Sequence, residues 1–340
     1  MATLFHWYVL LLTKKTTLLF GVLKRNPSIK KEDILAMTNF ENPAQYYDFF
    51  KNKLDINEYH ITRQTKGKKL NETHFQFESP FTSATIINNT VPSLLYSDAK
   101  SNKKVVIFVS ALFVSFNWSD RVMTRLLAKN GFDACSVALP YHGQRTAVKP
   151  GLEWLSSDAV AVTEAFTQSV LDVNKLHDIL AEKFGYEEIY IVGLSIGGNI
   201  ACVSTFIKDY RGGCYITTGV STADLIISAP LPYVEAVHKD MNKKYSDTDI
   251  QALWAMGDTS RFTNTQKCPQ NMIIAGFFDE FARPELTERM YKSLKNCELV
   301  IYPASHYNSF MFLRTAFKNI LRFFSGKPIR STSWKLNVVR

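Results

Sequence analysis

Three short, continuously apolar segments limit the possible folds of this chain more than any other feature. They are "KKVVIFVSA" (103–111), "GFDACSVALP" (131–140) and "EEIYIVGLS" (187–195). Each has the length of a strand and is rich in β-branched or aromatic residues. Because neighbouring residues of a strand point to opposite faces, an unbroken apolar run predicts a strand that is buried on both faces. Such strands are typical of parallel sheets.

Stretches with helical periodicity separate and follow these strands. They cover residues 120–129, 159–184 and 197–210. Further along, the segments "ADLIISAP", "NMIIAGFFD" and "CELVIYP" read as strands, and residues 284–294 and 308–324 as helices. Two earlier segments, "EYHITRQ" and "ETHFQFESP", alternate polar and apolar residues and predict an antiparallel entry to the sheet. The order predicts an α/β protein with a mostly parallel central sheet and helices on both faces.

The length of 340 residues and the composition, 46% hydrophobic and 21% charged, predict one large folded domain. We expect an N-terminal helical segment over residues 1–56 and an α/β domain over residues 57–325. Within that domain, residues 231–270 interrupt the alternation and predict a small helical cap. Residues 326–340 form a basic tail.

The net charge of +9 indicates a basic surface, but the lysines and arginines lie in short scattered clusters. No nucleic-acid-binding motif accompanies them, so we expect no nucleic-acid partner. The five cysteines are odd in number and show no C-x-x-C spacing, which argues against a disulfide framework and against a zinc site. A reducing, cytoplasmic location follows from this usage.

Two apolar runs near the N-terminus, residues 4–12 and 17–23, are both shorter than the roughly 18–20 residues of a membrane span. One interpretation is a helix packed on the domain. The other is an interfacial helix, which would give residues 1–25 peripheral contact with a membrane.

The segment "IYIVGLSIGGNIA" places Ser195 between two glycines, directly after a strand and before a helix. Ser195 is either a nucleophile on a sharp turn or a small residue in a glycine-rich loop. A strand, then G-x-S-x-G, then a helix is the context of a nucleophile elbow. A serine nucleophile needs a histidine as base and a carboxylate that orients the histidine.

Both partners are present downstream in that order. Asp279 follows an apolar strand in "AGFFDEFARPE", and open α/β sheets place functional side chains at the carboxyl ends of their strands. Glu280 is adjacent and is the alternative acid. His306 in "VIYPASHYNSF" follows the last strand and precedes the last helix. The sequence therefore predicts a triad of Ser195, Asp279 and His306.

These segments resemble the α/β-hydrolase superfamily. "GLSIGG" resembles its nucleophile elbow, "GFFDEFARPE" its acid turn and "SHYNSF" its histidine loop, over roughly residues 100–325. "LPYHGQR" is similar to the loop that follows the strand before the elbow. The resemblance implies an α/β-hydrolase fold and a serine hydrolase that acts on an ester or thioester through an acyl-enzyme, with no cofactor and no metal. It also implies a small-molecule or lipid acyl substrate.

One departure from the superfamily concerns the oxyanion hole. Many members have His-Gly at the end of the strand that precedes the first sheet helix, whereas this chain has Ser110-Ala111 in "VSALFVS". Backbone N–H groups form the hole, so the change of side chain does not abolish it. The resemblance implies Ile196 and Leu112 as the two donors.

His142 and Arg145 in "LPYHGQR" each have two interpretations. His142 is a second base or substrate contact, or else a loop residue that holds Arg145 or backbone in place. Arg145 binds an anionic group of the substrate or forms a structural salt bridge.

The alternatives to an esterase are an acyl-peptidase-like serine peptidase and a non-catalytic interaction protein with the same fold. Five aromatic and apolar residues of the expected cap favour a hydrophobic acyl chain: Tyr233, Tyr245, Leu253, Trp254 and Phe262.

Overall fold

The computed structural model describes residues 22–40, 42–51, 59–98, 103–113 and 120–330. A single nine-stranded sheet runs through this part of the chain, in the order β1-β2-β3-β5-β4-β6-β7-β8-β9. Its strands are β1 (Tyr59–Thr65), β2 (Leu70–Glu78), β3 (Thr90–Asp98), β4 (Lys104–Val109), β5 (Asp133–Val137), β6 (Glu188–Leu194), β7 (Gly212–Ile216), β8 (Asn271–Gly276) and β9 (Cys297–Tyr302). The apolar runs near the N-terminus lie mostly outside the described residues, as does the tail beyond residue 330.

The sheet is parallel over its larger part. Strands β5, β4, β6, β7, β8 and β9 are mutually parallel neighbours. The first three strands form an antiparallel meander that joins them through β3 and β5. The prediction of a mostly parallel sheet with an antiparallel entry is therefore confirmed.

Helices cover both faces of the sheet because the central strands are apolar on both sides. In β4, Val105 and Ile107 face one helical layer, and Val106 and Phe108 face the other. The α-helices are α1 (Lys31–Met37), α2 (Pro43–Phe50), α3 (Arg121–Ala128), α4 (Ala159–Glu182), α5 (Ile196–Ile207), α6 (Thr222–Ile227), α7 (Pro232–Met241), α8 (Asp247–Leu253), α9 (Pro284–Ser293) and α10 (Leu313–Phe324). Helices α4 and α5 pack on the first face, and α3 and α10 pack on the second.

The prediction of a strand at "ADLIISAP" is wrong, because this segment contains helix α6. The Ser221 side chain accepts a hydrogen bond from Asp224 N and caps the helix N-terminus. The sheet position between β6 and β8 belongs instead to β7, whose sequence GGCYI begins with two glycines and does not show a strand pattern. A short apolar run fits either a strand or a buried helix, and tertiary packing decided between them.

The segment expected to form a cap contains α7, α8 and a 3-10 helix over Thr259–Thr265. Its apolar side chains pack into the main core, where Val237, Met241, Ile250 and Leu253 are fully buried. Among the described residues, no helix has the length and apolar character needed to cross a bilayer.

Candidate active site

Ser195 lies on a sharp turn between β6 and α5, with φ 56° and ψ −122°. This backbone conformation is rare for a residue with a side chain and costs about 1–3 kcal/mol. The neighbouring glycine is required by close packing, since a Cβ on Gly197 would lie 2.2 Å from the Ser110 carbonyl oxygen. The elbow is therefore pressed against the end of β4, and Ser195 is held at the carboxyl edge of the sheet.

His306 lies four residues beyond β9 and faces the serine. Ser195 Oγ is 3.1 Å from His306 Nε2. Two hydrogen bonds hold the backbone of this loop around His306: the Asn308 side chain accepts one from Ser305 N, and the Ser309 hydroxyl donates one to the His306 carbonyl. These contacts fix the ring where Nε2 can accept the serine proton.

Asp279 lies three residues beyond β8 and completes the chain of hydrogen bonds. Its Oδ2 and Oδ1 atoms lie 3.0 and 3.1 Å from His306 Nδ1. Oδ1 also accepts hydrogen bonds from the backbone N–H groups of Phe281 and Ala282, at 2.9 and 2.8 Å. The carboxyl group is buried, so its orientation is set by these three donors.

The electrostatics of His306 suit a base that is stabilised when protonated. Burial by itself lowers the pKa of the imidazole, but the charge and hydrogen bond of Asp279 raise it more, and Glu280 adds to the rise. The net effect is a pKa above the ordinary value of histidine. The protonated form of this imidazole is therefore favoured.

The two residues expected to donate to an oxyanion lie on either side of the contact between the elbow and β4. Ile196 is the first residue of α5, where backbone N–H groups have no partner within the helix. Leu112 is in the turn that follows β4, two residues beyond Ser110. The packing of Gly197 against Ser110 brings these two segments together.

His142 and Arg145 lie in the loop after β5, and both are buried. His142 is 2% exposed, so its ring offers a substrate no surface in this structure. Its Nδ1 donates to the Pro140 carbonyl at 2.8 Å. Arg145 forms a fully buried salt bridge with Asp172 at 2.7 Å and donates to the Ala138 carbonyl. The geometry of Arg145 is that of a structural ion pair.

Two contacts of the site were not predicted from the sequence. Glu280 lies beside the triad, and its Oε2 accepts a hydrogen bond from His306 N at 3.3 Å. The Phe281 ring lies against the imidazole with 4.8 Å between ring centroids. The spacing of residues along the chain does not predict either contact. Both depend on how the loop after β9 folds over the loop after β8.

No group of three or more His, Cys, Asp and Glu side chains with the arrangement of metal ligands occurs in the described part of the chain. All five cysteines are free thiols. Four of them are buried, and burial raises the thiol pKa of Cys135, Cys202, Cys214 and Cys268.

Solved structures of esterases are similar to this chain in fold. Acetyl xylan esterase 1 from Thermoanaerobacterium sp. JW/SL YS485 superimposes with a TM-score of 0.63 at 12% identity, over 86% of this chain and 99% of the esterase. The acetyl xylan esterase from Paenibacillus sp. R4 gives 0.66 at 12% identity, over 90% and 97%. A cold-adapted esterase from an Arctic intertidal metagenomic library gives 0.56 at 15% identity, over 78% and 97%.

No protein-family model matches the sequence, and no curated protein sequence matches it. At 12–15% identity the structural similarity establishes the fold alone. The chain has the α/β-hydrolase fold that its three motifs predicted.

Proposed function

We propose that this protein is a serine hydrolase that cleaves a carboxylic ester through an acyl-enzyme. One observation carries the proposal: the continuous hydrogen-bonded chain from Ser195 Oγ through His306 to Asp279. The strained elbow supports it, because backbone strain of this kind persists where the surrounding structure enforces it and is concentrated at functional sites.

The proposed reaction has two balanced steps. In the first, His306 Nε2 removes the proton of Ser195 as Oγ attacks the acyl carbonyl, and the imidazolium then gives that proton to the leaving alkoxide. In the second, His306 takes a proton from water as the hydroxide attacks the acyl carbonyl; the bond between the acyl carbon and Ser195 Oγ then breaks, the carboxylic acid leaves and the imidazolium returns the proton to Ser195. The N–H groups of Ile196 and Leu112 stabilise the oxyanion in both steps.

The acyl group is proposed to be small. Two of the structures with a similar fold are acetyl xylan esterases, which makes acetyl esters the first substrates to test. The aromatic and apolar residues of the expected cap, which favoured a hydrophobic acyl chain, do not form an open surface. They are at most 4% exposed and belong to the core: Tyr233, Tyr245, Leu253, Trp254 and Phe262.

The decisive test is labelling with a fluorophosphonate probe. We expect one adduct per molecule, on the peptide that contains Ser195, and no adduct with Ser195→Ala or His306→Ala. A folded wild-type protein that remains unlabelled would instead support the non-catalytic alternative.

Substrate class is tested with p-nitrophenyl esters from acetyl to decanoyl, with acetyl thioesters and with acetylated amino-acid amides. We expect the highest kcat/KM for the shortest esters. Faster cleavage of the amides would favour the peptidase alternative, and faster cleavage of the thioesters would reassign the protein as a thioesterase.

A further inference from the structure

The turn after β4 contains a strained backbone conformation that other parts of the chain must stabilise. It carries Leu112, the second proposed oxyanion donor, and Phe113, whose φ of 62° is in the left-handed region. A residue with a side chain is strained there and is held only by its surroundings. The identity of the groups that hold Phe113 therefore matters to the proposed site.

The side chain of Phe113 packs against the segment that was expected to form a cap, residues 231–270. Its ring meets that of Tyr233 edge to face, with 6.2 Å between centroids. Tyr233 is in turn fixed by its hydroxyl, which donates to the Leu152 carbonyl. This contact positions the ring of Phe113. It does not set the direction of the Phe113 backbone N–H, which depends on other groups.

The backbone of Phe113 meets the loop after β5 at Gly151. A Cβ on Gly151 would lie 2.7 Å from Phe113 N and 2.9 Å from His142 Nε2. The φ of Gly151 is +77°, and its N–H donates to the Tyr141 carbonyl at 2.8 Å. Phe113 N and His142 Nε2 therefore both lie close to the position that a side chain at residue 151 would occupy. Only glycine at this residue leaves room for both groups.

The nitrogen of His142 next to Gly151, Nε2, carries a lone pair. Because Nδ1 donates to the Pro140 carbonyl, Nε2 carries no proton in the neutral ring. Nε2 is buried and has no hydrogen-bond partner among the described residues. A buried acceptor without a donor is unfavourable, and the nearby amide can supply one.

We infer that His142 is a positioning residue for the oxyanion turn, and this inference rests on the proposed function. In the reacting complex, His142 Nε2 accepts the N–H of Phe113 and so holds the Leu112 amide towards the oxyanion. Hydrogen bonds in active sites are often long in the free enzyme and shorten in the complex. His142 does not touch the substrate.

Two amide variants distinguish the role of His142 Nδ1 from that of Nε2. His142→Asn keeps a donor close to the Pro140 carbonyl but has no atom at the position of Nε2. His142→Gln places an amide group where Nε2 was. We expect His142→Asn to lower kcat on p-nitrophenyl acetate by about tenfold to a hundredfold, somewhat less than the loss of a whole oxyanion donor. KM should change little, and His142→Gln should recover most of kcat.

Rates are measured per active site titrated with the fluorophosphonate, so that unfolded protein does not contribute. The acid limb of the pH profile should stay where it is in the wild type, because His306 is the base; a shifted limb would identify His142 as a second base and overturn the inference. If His142→Asn does not fold, His142→Leu on the same assay replaces it, with the same expected loss.

The outcomes distinguish the two proposals. An unchanged kcat per titrated site in His142→Asn, with an active wild type, overturns the positioning role alone. An equal loss in His142→Asn and His142→Gln also overturns it, because packing of the ring rather than the acceptor would then matter. A wild type that neither labels nor hydrolyses overturns both the proposed function and this inference.

Discussion

His142 and His306 lie in two loops at the same edge of the sheet, yet their imidazoles have opposite electrostatic properties. His306 faces the Asp279 carboxylate, which outweighs burial and raises its pKa. The partner of His142 is the neutral Pro140 carbonyl. Burial, with a smaller contribution from the charge of Arg145, lowers the pKa of His142 to about 4, although the hydrogen bond to Pro140 opposes the change.

The charge of the hydrogen-bond partner thus separates the histidine that we propose as the base from the one that we propose as a positioning residue. Both rings have one nitrogen that donates to an oxygen and one that carries a lone pair. Only His306 has a carboxylate that stabilises the imidazolium, and only His306 directs its lone pair at a hydroxyl group. Its lowered pKa keeps the His142 imidazole in the neutral form near neutral pH.

The largest expected effect is the loss of the base. We predict that His306→Ala lowers kcat by about 10⁶-fold, since removing the histidine of such a triad costs about as much as removing all three members. Steady-state kinetics on p-nitrophenyl acetate would measure this loss. His60→Ala, a change at an exposed histidine of β1, is the matched control and should retain full activity.

The next effect tests the carboxylate that distinguishes the two loops. We predict that Asp279→Asn lowers kcat by about 10⁴-fold with little change in KM, because the imidazole loses its orientation and its stabilising charge. Glu280→Gln is the matched control, and its loss should stay below about tenfold because Glu280 accepts a hydrogen bond from the His306 backbone and not from Nδ1 of the imidazole. A larger loss for Glu280→Gln would show that the acid is misassigned by one residue.

The third effect concerns pH. His306 must be neutral to accept the serine proton, and its pKa is raised, so kcat/KM should rise with pH through a value above about 6.5. Glu280→Gln should move this limb to lower pH, because Glu280 contributes to the rise. A profile measured from pH 5 to 9 would show both effects. A wild-type limb well below pH 6 contradicts the assignment of His306 as the base.

The fourth effect is on stability and concerns the loop of His142. We predict that Arg145→Met lowers the free energy of unfolding by about 3–5 kcal/mol, because it leaves Asp172 buried without its partner. Urea unfolding would measure the change. The double variant Arg145→Met, Asp172→Leu should recover part of it. A single variant as stable as the wild type would contradict a structural role for this ion pair.

The smallest effect on the active site is expected from the N-terminus. Arg25 supports the loop of His142, since it donates to the Tyr141 hydroxyl at 2.7 Å and to the Ala161 carbonyl at 2.7 Å. Deletion of residues 1–21 keeps Arg25 and should leave kcat unchanged. Deletion of residues 1–25 removes Arg25 and should lower the free energy of unfolding. If residues 1–21 bind membranes, both deletions should abolish binding to anionic vesicles, and the binding by the intact chain should weaken with salt.

Much of the fold, and the hydrogen-bonded set of residues in the proposed triad, could be predicted because both depend on local patterns placed in a known order. Runs that are apolar on both faces predict the central parallel strands, and chemistry-bearing residues directly after them predict the edge where they meet. Strand β7 and helix α6 were missed, because two glycines and a short apolar run do not distinguish a strand from a helix. Their assignment depended on which neighbours cover them in the folded chain.

The α/β architecture follows from local sequence patterns alone, and so does the proposal of Ser195, Asp279 and His306, since each of these residues is marked by its position after a strand. The folded structure was needed to show that Arg145 is a buried ion-pair residue, that the aromatic and apolar residues of the expected cap lie in the core, and that His142 borders the turn of Leu112. The physical reason is that burial and the charge of a partner come from elements far apart in the chain, and these two quantities set what a polar side chain can do.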